Sequence, residues 1–295
     1  MLTALAPVSA ADRVLGLPIW QGEVQVSLLS GGTTNVNFLV QDDVRRCVVR
    51  IGDDIPVHQI LRFNERAASQ AAHAAGVSPA VVFHAPGVLV IDFIEGRTLT
   101  AADLRQDAML EQALALIRRA HHGIPAHLHG AALMFWVFHV IRDYAATLTA
   151  SPCALLLGDM LAAAARLEAA VGPVDIVYGH NDLLPANFIH DGSRLWLIDW
   201  DYAGFNSPLF DLGGLAANAA LSAAQEARML ESYFQRRADT TLWRAYLAMK
   251  AAAALREALW SMVSERHSDI DFDFATYTQT NLARWRAALD VFDQT

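Results

Sequence analysis

One change of pattern near Glu95-Gly96 limits the folds open to this chain of 295 residues. Before it, short β-favouring runs alternate with turn signals. Strands are expected at 24–29, 38–40 and 46–51, a helix at 60–75 closed by Gly76, and two further strands at 81–84 and 88–93 around Ala85-Pro86-Gly87. After it the chain turns alanine-rich, with helices expected at 102–121, 135–147, 155–170, 223–237, 242–264 and 277–292. Strands first and helices afterwards read as an α+β chain, whose length allows one large domain or two lobes around a cleft. The break divides the chain into 1–94 and 95–295.

The helical part is interrupted once, by VYGHNDLLPANFIHDGSRLWLIDWD from Val177 to Asp201. His180, Asp182 and Asn187 stand in the order H-x-D-x-x-x-x-N, and Asp199 follows an apolar run. Leu184-Pro185 breaks any helix between Asp182 and Asn187, so one loop can aim both side chains into a cleft. Residues 194–198 read as a strand after a hairpin turn at Asp191-Gly192, which puts Asp199 at the strand end. Phosphoryl transfer needs such a set. One carboxylate (Asp182) faces the attacking hydroxyl, while an amide oxygen (Asn187) and a second carboxylate (Asp199) hold Mg2+ beside the phosphates of ATP. A polar turn with an incidental Asp is the plainer reading, and four ordered members with a strand in place argue against it.

The net charge of −9 and the absence of a basic stripe exclude nucleic acid as a partner. Lys250 is the only lysine, so any phosphate-contacting cation on the strands is an arginine. Cys47 and Cys153 are distant and unpatterned, in keeping with free thiols in a cytoplasmic protein. The N-terminus lacks the basic start and apolar stretch of a signal peptide, and the densest apolar run, 131–141, is too short for membrane insertion. The His-rich stretch from His121 to His129 surrounds Gly123 and Pro125 and reads as a polar loop at a helix end.

Ser30, Gly31, Gly32, Thr33, Thr34 and Asn35 lie between two strands, where paired glycines and hydroxyls suit phosphate. Arg50 ends the third strand, and Glu65 in the next helix is its expected partner. The segment Asp92, Phe93 and Ile94, leading to Glu95-Gly96, resembles the strand-to-hinge passage of two-lobed kinases, whose backbone would meet the adenine edge.

HNDLLPANFI, LWLIDWDYAG and FDLGGLAAN, with LSGGTTNVNFLV and CVVRIG upstream, resemble the choline/ethanolamine kinases within the aminoglycoside phosphotransferase group. The resemblance covers about residues 27 to 277. It implies a two-lobed protein-kinase-like fold: an N-terminal nucleotide-binding lobe (1–94) with a small antiparallel sheet and one helix, and a larger, mainly helical lobe (95–295) with the catalytic loop and substrate pocket. It implies ATP- and Mg-dependent phosphorylation of a small cationic alcohol, choline or ethanolamine. Asp182 would be the base, and Asn187 and Asp199 the metal ligands. Asp201 matches an acidic position near the substrate whose role is structural or in the metal shell. Asp211 matches a buried brace of the catalytic loop. Trp260 and Tyr277 match two positions of an aromatic cage. Glu257 stands where that cage has another tryptophan. It either accepts hydrogen bonds from a primary ammonium, which choline cannot donate, or is a solvated residue paired with Arg256 or Arg266. The acids around Asp269 to Asp273 read as a rim, with Phe272 and Phe274 turned inward. An aminoglycoside or other amine-bearing alcohol is the alternative substrate, and a kinase-like nucleotide-binding protein without turnover is the alternative of another class. The oligomeric state is not legible; a homodimer is compatible with the sequence.

Overall fold

The computed structural model describes residues 9–29, 35–268, 270 and 272–295. The glycine-rich stretch at 30–34 lies outside the described residues, as do Asp269 and Asp271.

After a short helix α1 (Ala10–Leu15) come β1 (Gln25–Leu29), β2 (Val36–Gln41) and β3 (Arg46–Ile51), then helix α2 (Arg62–Ala74), β4 (Val81–Ala85) and β5 (Val88–Asp92). They form one antiparallel sheet in the order β1-β2-β3-β5-β4. Alternation along β3 sorts its side chains between two faces. Cys47, Val49 and Ile51 are buried with Val14 of α1, Phe38, Val40 and Val90. Arg46, Val48 and Arg50 point the opposite way. Register pairs Arg50 with Asn37 on one side and Leu89 on the other. The buried residues of α2 include Ala68, Ala71 and Ala72, which belong to the main core, and also Glu65.

The two-residue strand β6 (Arg97–Thr98) follows, then α3 (Ala101–Leu104), α4 (Asp107–Gly123), α5 (Val137–Thr147) and α6 (Ala154–Val171). Gly96 starts this passage for a steric reason: a Cβ there would lie 2.6 Å from the carbonyl oxygen of His190. The expected helix 102–121 is two helices, because Thr100 forms a capping box with Asp103 and the turn at Arg105-Gln106 intervenes. Phe135 is extended rather than helical, its amide donating to Phe205. The site segment supplies β7 (Val177–Gly179), β8 (Phe188–His190), β9 (Leu195–Leu197) and β10 (Gly204–Asn206). β8 and β9 form the expected hairpin, β6 adds to β8, and β10 pairs with β7.

Four helices close the chain: α7 (Pro208–Ala219), α8 (Ala223–Phe234), α9 (Thr240–His267) and α10 (Phe274–Asp293). α9 has no single apolar face. Its buried residues run around the axis because α5, α6, α7 and α10 all pack on it. α7 was not foreseen from sequence. Its central Gly213-Gly214 reads as a breaker, yet a Cβ on Gly213 would come within 2.9 Å of the Cα of Lys250, so the residue permits close helix approach.

Candidate active site

The loop after β7 is held from below by one carboxylate. Asp211, at the start of α7, accepts the amides of His180 at 2.8 Å and Asn181 at 2.7 Å, and His121 Nε2 lies 2.9 Å from it. Burial opposes its charge, but the bonds from His121 and His180 keep its carboxyl below the usual range. His121 is therefore a buried brace, also 2.7 Å from the Tyr233 hydroxyl, and not part of a polar loop. Asn181 adopts φ 64°, an unusual conformation for a side chain with a Cβ. Its amide holds it there, donating to the carbonyls of Tyr202 (2.9 Å) and Gly204 (3.2 Å) and accepting from Asn206 (3.0 Å).

Asp182 follows directly and is half-buried. Desolvation, opposed by Arg256 but reinforced by Glu257, Asp199 and Asp201, pushes its carboxyl up to about 8. Pro185 begins a single 3-10 turn, Pro185–Asn187, that brings the chain back on itself. Asn187 Nδ2 then donates to the Asp182 carbonyl at 2.9 Å, so its amide is fixed with the donor end engaged and Oδ1 left as the acceptor. The amide of Ile198 bonds Asn187 O at 3.0 Å, tying β9 to this turn, and Asp199 leaves the strand with φ 71°.

Arg50 reaches the same place from the sheet. Its Nη1 lies 2.6 Å from Glu65, 3.0 Å from Asp199 and 2.9 Å from Asp201. Arg62, which sequence reading passed over, adds bonds to Glu65 at 2.7 Å and Asp201 at 2.8 Å. Three carboxylates against two guanidinium groups leave an excess of negative charge. Against the penalty of burial, Arg50 holds Asp199 below the ordinary range, while burial with Asp199 and Glu65 nearby pushes Asp201 up. Asp201, expected among the substrate residues, is engaged by Arg50, Arg62 and Asn35.

Two cavities meet at Asn187 and Asp199. One, about 470 Å³, runs under the sheet and is lined by Val48, Arg50, Glu65 and Ile91, by the segment Asp92, Phe93 and Ile94, and by Ile189 and Ile198 across from it. Its apolar walls and backbone edge suit a flat heterocycle, and its polar end is the Arg50 cluster. The other, about 240 Å³, is lined by Asn35, Asp182, Asn187, Asp199, Asp201, Tyr202, Arg256, Glu257, Trp260, Phe272 and Tyr277. Here the rings of Trp260 and Tyr277 stand edge to face at 6.3 Å, and Phe272 meets Tyr277 at 5.5 Å. Trp260 is largely buried, its Nε1 donating to the Tyr202 hydroxyl at 2.8 Å. Phe274 is turned inward as expected, but Phe272 is 44% exposed and belongs to the cavity wall instead. Glu257 meets both Arg256, at 3.0 Å, and the Tyr277 hydroxyl, at 2.7 Å.

An amide oxygen and a carboxylate are hard donors of the kind Mg2+ takes together with phosphate and water. Among the described residues no group of three or more His, Cys, Asp or Glu side chains forms a metal cage made of protein alone. Asn187 and Asp199, facing both cavities, fit a shared ion of that kind.

Residues 25–251 match the model of the phosphotransferase enzyme family. The chain belongs to that family. Protein LicA of Haemophilus influenzae is 28% identical over 259 residues, 83% of this chain and 75% of the relative. Ethanolamine kinase 2 of Mus musculus is 26% identical over 296 residues, 88% of this chain and 75% of the relative. A solved structure of a choline/ethanolamine kinase family protein from Mesorhizobium loti superposes with a TM-score of 0.77 at 27% identity, covering 95% of this chain and 93% of the other. The resemblance to choline/ethanolamine kinases is borne out, the fold is the two-lobed one it implies, and the chain is a small-molecule kinase.

Of the positions picked from sequence, the kinase gathers Asp182, Asn187, Asp199, Arg50 and Glu65 around the junction, with Asp92, Phe93 and Ile94 along the larger cavity and Glu257, Trp260 and Tyr277 in the smaller. Sequence reading missed Asn181, Arg62 and Tyr202, and saw Arg256 only as a partner for Glu257. Asn181 carried a signal, since an Asn is one of the few residues that tolerate positive φ before a turn. The other three depend on contacts across the fold.

Proposed function

We propose that this kinase moves the γ-phosphoryl group of ATP, with Mg2+, to the hydroxyl of a small cationic amino alcohol such as choline or ethanolamine. The observation that carries the reading is that Asp182, Asn187 and Asp199 share one cavity with an aromatic, carboxylate-bearing pocket, and that two of them open onto the larger cavity under the sheet. Residues 1–94 would serve as the nucleotide lobe and 95–295 as the catalytic lobe, with the chain at Asp92, Phe93 and Ile94 against the adenine.

Asp182 would orient the substrate hydroxyl and take its proton as the new O–P bond forms and the bond to the β-phosphate oxygen breaks, ADP leaving. The raised proton affinity of its carboxyl suits that task. Asn187 Oδ1 and Asp199 would hold the ion, which when bound offsets charge on the phosphate oxygens. Arg50 would add its guanidinium from the sheet side, kept in place by Glu65. Trp260, Tyr277 and Phe272 would take the cationic head against their rings. Glu257 would accept from a primary or secondary ammonium, which favours ethanolamine over choline and supports a second reading, an amine-bearing alcohol such as an aminoglycoside.

The test is ADP release with choline, ethanolamine, thiamine and kanamycin, in wild type and Asp182→Ala. Release with an amino alcohol, lost in a folded Asp182→Ala, is expected. Release that survives the substitution refutes the assignment of Asp182, and none with any of the four refutes the substrate class.

A further inference from the structure

We propose that the alcohol phosphorylated here also carries a carboxylate, bound by Arg256; this rests on the phosphotransfer reading above and narrows its substrate. Arg256 of α9 is only 4% exposed. Its Nη1 bonds Glu257, but Nε and Nη2 have no hydrogen-bond partner among the described residues. Its carbon centre lies 4.3 Å from the Tyr202 ring centroid and 5.6 Å from that of Phe135, so aromatic rings occupy its surroundings where acceptors would be needed. A guanidinium does not escape by losing its proton, and buried donors left without acceptors are costly. Among the described residues the carboxylate hydrogen-bonded to it is that of Glu257, which is shared with the Tyr277 hydroxyl.

Arg256 lines the aromatic cavity and also a second one of about 570 Å³, between α7, α9 and α10, that reaches the other side of Asp182. Asn281 borders this second cavity. It is almost fully buried, and among the described residues its Nδ2 has only the Tyr277 hydroxyl, already bonded to Glu257, to interact with. Arg284 borders it too, while of the acids there Asp211 is committed to the loop amides, Glu257 is shared by Arg256 and Tyr277, and Asp182 is kept for the substrate hydroxyl. Apart from Asp182, the unanswered groups at this seam are the Nε and Nη2 donors of Arg256. A purely cationic alcohol can be held by the carboxylates and rings of the pocket but leaves the Arg256 donors unsatisfied. A ligand carboxylate supplies acceptor oxygens in the geometry a guanidinium fork prefers. Arg256 and Glu257 are adjacent and bonded to each other, so the ligand's carboxylate and ammonium must also be close, on the same or neighbouring carbons. With the hydroxyl at Asp182, the class is a small hydroxy-amino acid.

Matched pairs test this with the full chain, ATP and Mg2+. Ethanolamine is compared with serine, which adds a carboxylate to the amine-bearing carbon, and 3-aminopropan-1-ol with homoserine, which does the same one carbon longer. The expected result is a kcat/KM about 10- to 100-fold higher for the carboxylated member of at least one pair, the range of a charge-assisted bond. Arg256→Met should bring that ratio to one or below, chiefly through KM, and Arg256→Lys should keep part of it. If Arg256→Met does not fold, the wild-type ratios and Arg256→Lys decide. Parent amino alcohols turned over faster than their carboxylated partners, or a ratio unmoved by Arg256→Met, overturn the proposal and leave the phosphotransfer reading standing. No ADP release with either member of either pair, nor with choline, overturns both.

Discussion

Adding one methyl group to each of two neighbouring glycines of α7 should move stability in opposite directions. In Gly213→Ala the new Cβ would sit 2.9 Å from the Cα, 3.1 Å from the backbone nitrogen and 3.2 Å from the Cβ of Lys250. None of these atoms is the free end of a flexible side chain, so α7 and α9 must separate, at a cost of about 1–3 kcal/mol. In Gly214→Ala nothing lies within 4 Å of the added group. Both substitutions remove the same helical penalty of glycine, roughly 0.8–1 kcal/mol. That contribution cancels between the two variants, and their difference isolates the steric term. Urea unfolding followed by tryptophan fluorescence should place Gly214→Ala above wild type by up to about 1 kcal/mol. Gly213→Ala should fall about 1–3 kcal/mol below Gly214→Ala. Equal stabilities, or Gly213→Ala the more stable, would refute the close approach of the two helices.

Asp211→Asn keeps the size of the brace but weakens the charge-assisted bonds to His180, Asn181 and His121; stability should fall by about 2–4 kcal/mol, with kcat reduced even where the protein remains folded, and an unchanged kcat refutes its positioning role. His58 is buried against Tyr144 and Ser264, and burial, with Arg256 and His267 adding to it, takes its pKa down to about 3. The unfolded chain binds that proton near 6.5, so the neutral ring stabilises the fold above that pH and the stabilisation is lost as pH falls from there toward 3. Relative to His58→Gln, wild type should lose about 1.4 kcal/mol between pH 7.5 and 5.5, and a pH-independent difference in urea midpoints contradicts this. Glu257→Trp should raise the choline-to-ethanolamine ratio of kcat/KM about tenfold by exchanging an acceptor for a ring face, and steady-state kinetics showing an unmoved ratio dismiss Glu257 as a selector.

The architecture was legible because its signals are local. The turn at Asp191-Gly192, the alternation through β3 and the Pro-broken loop from Asp182 to Asn187 each follow from a few consecutive residues. Where reading failed, the deciding contact lies far along the chain. Gly213-Gly214 looks like the end of a helix until Lys250 is brought against it. Trp260 was chosen for its ring, but its depth is set by Tyr202, 58 positions earlier. His121 looked like a surface residue because Asp211 is 90 positions away. Arg256 was seen only as a possible partner for Glu257, since no local pattern tells that its remaining donors are buried beside Tyr202.

Arg256, Glu257 and Trp260 occupy a little more than one turn of α9, the longest helix described, while Asp182, Asn187 and Asp199 sit on connections anchored elsewhere. On the proposed roles, substrate discrimination would be carried by a short cassette on a stiff rod, mechanically separate from the groups that would handle phosphate. Swapping that cassette should change which compound enters without retiming the reaction itself, which makes this turn the natural place to redirect the enzyme to other alcohols.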